Sequence, residues 1–507
     1  MLSELQEASL KLKHDIDELG RVGDILSIEN PLQFNLDNYA GGTFRDKPIF
    51  DLDGVEDQID SGRAQKITAN NKITYTFLDE GDDLIGIYNN KNYGFTAGEG
   101  LAAFTAAQEA EARDSIDLWD DLIAPEFVET NGRGADIQFA NSTDPAQAYA
   151  YYPSEKGGQK YLGDVFVADP AVNWTNAWLG YGGYGATTLT HELGHALGLS
   201  HPGAYNYDPD LDLTYENYAE YAQDSEQYTI MSYWSAQETG ARIVNWDLLF
   251  FNNPQTPLLH DIYVIQQKYG ADETTRTGDT TYGFNSTADR EVYDFDANPF
   301  PYLSIYDAGG EDTLDFSGFF GGTVLNLNDG EFSSGGSAIP TSEEIYDNAV
   351  ELFYESGEFV GAPSQATIDS VASRYLSLNQ QSIASDTGYT GVFAVNYENI
   401  SIAYGTMIEN AVGSEYRDVI IANELDNTLT GNGGADVFVF QDGGNDTITD
   451  FLVGDDLIDL SALAGEDTAL DFGAGFLEAD FDGDGVVDLT VTFDNGAELT
   501  AADVYLG

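Results

Sequence analysis

The sequence predicts an α+β domain followed by an all-β domain of parallel β-roll or β-sandwich type. Three observations carry that prediction. Residues 61–270 mix strand patterns with long apolar-periodic helices, one of which bears two histidines four residues apart. After Gly270 the chain changes to Gly, Asp and Asn turns between short apolar runs, as a β-rich solenoid or sandwich requires. The 507 residues are enough for two or three domains with real cores, and with no cysteine none of them holds a disulfide, a thiolate metal site or a cysteine nucleophile.

Taken in order, residues 1–60 form a first unit. Leu2, Leu5, Leu12, Ile16, Leu19 and Leu26 recur near helical spacing, which predicts one or two amphipathic helices ahead of a polar loop at 38–42. In 73–78, Ile73, Tyr75 and Phe77 alternate with threonines and read as a strand. Residues 101–122 carry the Ala-rich, Glu-rich pattern of a long helix, and 134–140 and 147–151 read as further strands. Beyond Gly270, the stretch 333–395 looks inserted, with helices expected at 341–354 and 365–378.

The chemistry is concentrated in His191-Glu192-Leu193-Gly194-His195-Ala196-Leu197-Gly198-Leu199-Ser200-His201, which holds three of the five histidines. Histidines four apart share one helix face and can aim ring nitrogens at a single metal, with Glu192 alongside facing a bound water. Gly198 can take the left-handed conformation that ends a helix and returns His201 as a third ligand. Three ligands leave one position open, which separates a catalytic zinc from a closed structural one. Such a zinc would bring the pKa of its water toward neutrality, and Glu192 would take the proton as general base while the water attacks a carbonyl.

These residues resemble the metzincin metallopeptidases and, within them, the serralysins, secreted bacterial zinc proteases with an RTX-type calcium-binding domain. Thr229-Ile230-Met231-Ser232-Tyr233-Trp234 is similar to the family's Met-turn. The resemblance implies that Met231 floors the site and that Tyr233 is a displaceable extra zinc ligand that stabilises the oxyanion. It implies an N-terminal propeptide; a plain helical extension is the alternative for residues 1–60. Gln147, Ala148, Tyr149 and Ala150 resemble the edge strand that takes the substrate through backbone hydrogen bonds.

The same resemblance implies several structural calcium ions. Gly433-Gly434-Ala435-Asp436 and Gly443-Gly444-Asn445-Asp446 resemble the repeat in which glycine permits a tight turn and aspartate offers a hard oxygen, giving Gly434, Asp436 and Asp446 as ligands. At the domain junction Arg276, Gly278, Thr280, Asp307, Gly309, Gly310, Asp312 and Glu409 would hold further calcium. The stretches 413–418 and 422–427 lack the glycine pairs, so fewer repeat ions are expected. Residues 480–488 form a further acidic loop, either a calcium loop or a solvated turn. The ending Asp503-Val504-Tyr505-Leu506 resembles a C-terminal export signal, so a type I secretion apparatus is an expected partner, alongside protein and peptide substrates and a proteinaceous inhibitor. A monomer is expected.

A formal charge of −69, from 88 acidic and 19 basic residues, argues against nucleic acid and anionic membranes as partners. It suits calcium binding or a saline medium, where repulsion is screened within about 10 Å at 0.1 M salt; acidity that only maintains solubility is the alternative. No run of about eighteen apolar residues or of signal-peptide length is present. The function predicted is a secreted zinc endopeptidase. A calcium-binding adhesive or structural protein with an inactive protease domain, or a zinc hydrolase of another substrate, are the alternatives.

Overall fold

In the computed structural model, which describes residues 35–67, 70–78, 100–131, 134–142, 147–153, 163–206, 212–353 and 363–507, the first body is built on a five-stranded sheet. The helical periodicity read in residues 1–34 lies outside the described residues. The strands are β1 (Lys72–Phe77), β2 (Glu126–Glu129), β3 (Ile137–Ser142), β4 (Ala148–Ala150) and β5 (Val165–Ala168), in the order β2-β1-β3-β5-β4. All are parallel except β4, which lies antiparallel at the edge with Ala148 opposite Val167 and Ala150 opposite Val165.

Four of the helices of this body frame the site: α1 (Leu52–Ile59), α2 (Ala106–Asp120), α3 (Tyr184–Leu197) and α4 (Leu259–Tyr269). Ile73, Ile137, Phe139 and Val165 of the sheet share one core with Trp119 of α2, Leu193 of α3 and Ile262 of α4. Helix α2 starts later than the periodicity suggests, because Thr105 caps it: its side chain accepts from the Gln108 N–H while Gln108 reaches back to the Thr105 N–H.

The described part of the 1–60 unit is built into this body. Leu36 and Ile49 are buried with Tyr228 and Leu259, and α1 contributes Val55 and Ile59 to the main core. The side chain of Asp37 is nearly enclosed, accepting from Gln223 Nε2 at 2.8 Å and pairing with His260 Nε2 at 2.8 Å. The boundary expected at residue 60 therefore runs through a continuous apolar core.

The second body coils between two sheets. An eight-stranded sheet begins at Thr281–Gly283 and a five-stranded one at Val324–Asn326. In the regular part the strands stack in parallel, with Asn410 beside Thr428 in one sheet and Val419 beside Val437 in the other. Central residues such as Ile420, Leu429, Phe438 and Ile448 point between the sheets and are buried. The last strand, Val504–Tyr505, pairs with Ile458 and Asp459 at the sheet edge.

The inserted stretch supplies α5 (Ser342–Phe353) and α6 (Gln365–Thr387). Ile383 of α6 covers Val419, Val437 and Val439 on the outer face of the five-stranded sheet. Tyr375 packs with Trp246, while Arg242 of the first body donates to Asn379 Oδ1 at 2.8 Å. The bodies are also joined by Arg276 and Arg290, which hold Asp121 at 2.7 and 2.8 Å. Among the described residues no helix is long and apolar enough to cross a membrane.

Candidate metal centre and active site

Helix α3 sets His191 and His195 one turn apart and ends at Gly198, whose φ of 99° and ψ of 22° are left-handed. The Gly198 N–H returns to His195 O and the Leu199 N–H to Gly194 O, both at 2.9 Å. That reversal brings His201 back to the helix. The three Nε2 atoms converge: His195 to His201 is 3.1 Å and His201 to His191 is 3.3 Å.

Each opposite nitrogen, Nδ1, meets a backbone carbonyl, Ile230 O at 2.7 Å, Leu199 O at 2.8 Å and Tyr205 O at 3.0 Å for His191, His195 and His201 respectively. A carbonyl only accepts, so every Nδ1 carries the proton and every Nε2 presents a lone pair. Lone pairs at such separations repel unless a cation lies among them. Zinc–nitrogen bonds of about 2.0–2.1 Å in a tetrahedron place the nitrogens about 3.3–3.4 Å apart, so the triad fits zinc. Burial holds the rings neutral: His191 is brought down to about 4, His201 to about 3, and His195 well below its ordinary value.

Glu192 lies beside the triad, buried, with Oε2 lacking any hydrogen bond. Burial pushes its carboxyl up to about 8, against a backbone hydrogen bond from Ala150 of β4 that lowers it. Beneath the helix, Met231 is fully buried. A methyl on Gly194 would come 2.6 Å from Met231 Sδ, so the glycine inside the motif leaves room for the thioether. The Tyr233 ring is partly exposed and lies 4.4 Å from that of His201 and 6.3 Å from that of His191, centroid to centroid.

Two buried carboxylates that the sequence did not disclose hold these segments. Asp261 of α4 accepts from Thr229 Oγ1 at 2.6 Å and the Ile230 N–H at 2.7 Å, fixing the turn whose carbonyl orients His191. Asp224 accepts from Tyr205 Oη and Ser232 Oγ, both at 2.8 Å, and from Trp234 Nε1 at 3.2 Å, tying the His201 loop to the Met231 turn.

Along the edge strand the four residues read as substrate-binding occupy different surroundings. Gln147 spends its polar groups inside the protein: its carbonyl takes the Ala168 N–H at 2.7 Å, and its side-chain oxygen takes Asn173 Nδ2 at 2.6 Å. Ala148–Ala150 form the edge strand itself. Tyr149 turns its ring onto Phe166, away from α3, which the small Ala148 and Ala150 approach.

The junction residues do come together. Asp312 Oδ1 takes the Thr280 N–H at 2.7 Å, Glu409 Oε2 takes the Asp312 N–H at 2.7 Å, and Asp307 Oδ1 takes the Gly309 N–H at 2.7 Å. Gly278 O lies 2.6 Å from where a Gly310 Cβ would stand, and Asp312 Oδ2 is buried without a hydrogen bond. Arg276 has a left-handed φ of 48° and turns its guanidinium to Asp121. Burial, with Asp307 and Glu409 nearby, pushes Asp312 up to about 7.

Asp436, with Gly434 against the Tyr416 carbonyl, lies in a different turn stack from Asp446, each accepting one backbone N–H, from Asp418 and Asn427 respectively at 2.8 Å. Asp418, in a stretch without the glycine pair, is instead saturated by Thr323 and Ser414 through both N–H and hydroxyl groups. Asp480, Asp482 and Asp488 stand close enough to share an ion.

The family model for the C-terminal domain of the M10 serralysin peptidases matches residues 271–342 and 369–506. Serralysin of Photorhabdus luminescens is 33% identical over 363 residues, 71% of this chain and 59% of the relative. Metalloprotease AprA of Pseudomonas entomophila is 33% identical over 333 residues, 65% of this chain and 56% of the relative. Metallopeptidase AprA of Pseudomonas marginalis is 31% identical over 501 residues, 89% of this chain and 90% of the relative. Against the first two, the chain spans little more than half of the relative's length.

Proposed function

The chain belongs to the serralysin family, and from that premise we propose that it is a zinc-dependent endopeptidase. In this reading residues 61–270, joined by 35–60, are a metzincin catalytic domain, and 271–507 are an RTX-type β-roll. The observation that carries it is the set of three bare Nε2 atoms at tetrahedral spacing, beside a buried carboxylate with one unused oxygen.

His191, His195 and His201 would hold the zinc, which when bound supplies a Lewis acid that polarises the scissile carbonyl and acidifies water. The rest is work for the protein's own groups. The free edge of β4 lays an extended peptide across α3, and Ala150 orients Glu192 through its N–H. Glu192 Oε2 takes a proton from the attacking water and returns it to the leaving nitrogen, using the oxygen that no other group occupies. Tyr233, at the exposed side of the triad, donates to the developing oxyanion. Replacing Glu192 by alanine should lower casein hydrolysis by about 10²–10⁴-fold while the protein still binds one zinc. Near-normal turnover by the zinc-loaded variant would refute the role.

Calcium would bind where carboxylates keep an unused oxygen, at Asp312 with Asp307 and Glu409, at Asp436 and at Asp446. Export to the medium by a type I apparatus would use the tail, which folds as an edge strand with Asp503 buried and so is legible only before folding. Deleting the last dozen or so residues should retain the protein in the cell; normal secretion would reject this. A removable N-terminal segment, if cleaved, ends before Asn35, because Asn35 and Asp37 are already packed into the catalytic body.

A further inference from the structure

The chain on both sides of Tyr233 converges on one carboxylate. Asp224 is fully enclosed; its Oδ1 accepts from Tyr205 Oη and Ser232 Oγ, both at 2.8 Å, and its Oδ2 accepts from Trp234 Nε1 at 3.2 Å. Ser232 and Trp234 are the two chain neighbours of Tyr233, and Ser232 Oγ also takes the Trp234 N–H at 3.1 Å. The backbone through Tyr233 is therefore pinned on either side. Both neighbours are buried, while the side chain between them stays partly exposed. A carboxylate suits this place because three donors meet it, two on one oxygen and one on the other, and an amide has only one accepting oxygen.

The third arm reaches the ring itself. Tyr205 lies nearly parallel to His201, with planes 7° and centroids 5.6 Å apart, and its carbonyl holds His201 Nδ1 at 3.0 Å. The Tyr205 ring is also 5.3 Å from that of Tyr233 and 5.0 Å from that of Trp234. Tyr233 thus rests in the angle between His201, 4.4 Å away, and Tyr205. The wall that Tyr205 provides is held in place by Asp224.

We propose that Asp224 is a positioning residue for Tyr233: by clamping Ser232, Trp234 and Tyr205 together it confines Tyr233 to side-chain rotation about a fixed backbone. The phenol then meets the developing oxyanion without a loop having to order first. This rests on the peptidase reading above and on the part Tyr233 plays in it. A donor already in place costs no reorganisation when charge develops, so the benefit falls on the transition state and not on substrate binding.

The test uses the full-length zinc- and calcium-loaded protein, one fluorogenic peptide, and a phosphinic peptide whose tetrahedral anion mimics the intermediate. Asp224→Asn keeps the shape and gives up one accepting oxygen. Tyr205→Phe keeps the ring and the carbonyl behind His201 and removes one arm; it decides the matter if the first variant does not fold. Each should retain one zinc and lose kcat with KM little changed, about tenfold for Asp224→Asn and about threefold for Tyr205→Phe. Calorimetric binding of the phosphinic peptide should weaken by the same factors. In a Tyr233→Phe background both losses should vanish to within about twofold, because the group being positioned is gone. A loss that persists in that background, a loss confined to KM or to zinc content, or no loss in the deciding variant overturns the positioning role and leaves the peptidase reading standing. Full activity of Tyr233→Phe by itself overturns it as well, by removing the group to be positioned. Failure of the unaltered protein to cleave the peptide overturns the peptidase reading, and the positioning role with it.

Discussion

Replacing Gly198 by alanine should separate two demands that the sequence motif merges into one glycine. The first is conformational: at φ 99° a side chain costs about 1–2 kcal/mol. The second is spatial: a methyl there would overlap the Arg63 carbonyl oxygen and stand 2.9 Å from its carbon, against an ordinary contact of about 3.5 Å or more. The strap 61–67 must move, at an overpacking cost of about 1–3 kcal/mol. Moving it also strains the Ser61 N–H and Oγ hydrogen bonds to Gly198 O, 3.1 and 2.5 Å, each worth about 0.5–1.5 kcal/mol. The sum is about 3–8 kcal/mol. Gly62 provides the control, since its φ of 70° is also left-handed but no atom lies within 4 Å of an added Cβ. Gly62→Ala should cost only the conformational part, about 1–2 kcal/mol. The entropy that alanine removes from the unfolded chain is common to both and cancels. Urea unfolding followed by zinc release reads the transition of the catalytic body directly. Gly198→Ala should unfold at markedly lower urea and lose zinc to a weak chelator that leaves Gly62→Ala loaded. Equal losses in the two variants would refute the strap argument and leave backbone strain as the sole reason for the glycine.

Tyr233→Phe should keep the fold and the zinc and lose roughly 10²-fold in kcat with little change in KM, as expected for a group that acts on the transition state; a change confined to KM, measured with one fluorogenic peptide, would exclude that role. In the calcium-free protein, Asp312 is pushed up to about 7 and Asp436 to about 8 by burial and by neighbouring carboxylates. Between about pH 4 and 8 the folded state then holds protons that the unfolded chain, titrating near 4, has lost. Stability in EGTA should therefore fall as pH rises through that window, and the calcium-induced rise in melting temperature should grow; a calcium-free melting temperature that is flat or rising from pH 5 to 8 would contradict this. With a formal charge of −69, melting temperature at saturating calcium should increase with sodium chloride toward marine strength, where the screening length falls below about 5 Å, and a flat or falling trend would leave solubility as the sole role of the acidity.

The site's ligands were legible because a helix converts spacing into direction: His191 and His195 must share a face. What holds them was not. Asp224 joins Tyr205, Ser232 and Trp234, and Asp261 joins Thr229 and Ile230 across some thirty residues; nothing local distinguishes either from the many surface acids. Helix boundaries failed in instructive ways. The helix expected at 365–378 continues to Thr387, where Asn379 accepts from Arg242 and Asp386 from Tyr397 inside the protein. The stretch 413–418 lacks the glycine pair of the repeat, so fewer ions are expected there. The hydroxyls of Thr323 and Ser414 occupy the Asp418 carboxylate there.

The three imidazoles are aimed by three different pieces of chain, and this decides how the centre fails. His191 is oriented by Ile230 in the Met231 turn, His195 by Leu199 just past its own helix, and His201 by Tyr205 in the following loop. The second and third anchors lie four residues from their histidines, but only the second is held by the end of the helix itself. The first depends on Asp261 from α4, and the third on Asp224, which also holds Ser232 and Trp234. A helix carrying the motif alone would keep His195 aligned and lose the other two directions. The open Nε2 triangle is thus a property of the whole stretch from α3 to α4, and its lone pairs face one another only because the carbonyls behind them leave no alternative proton position.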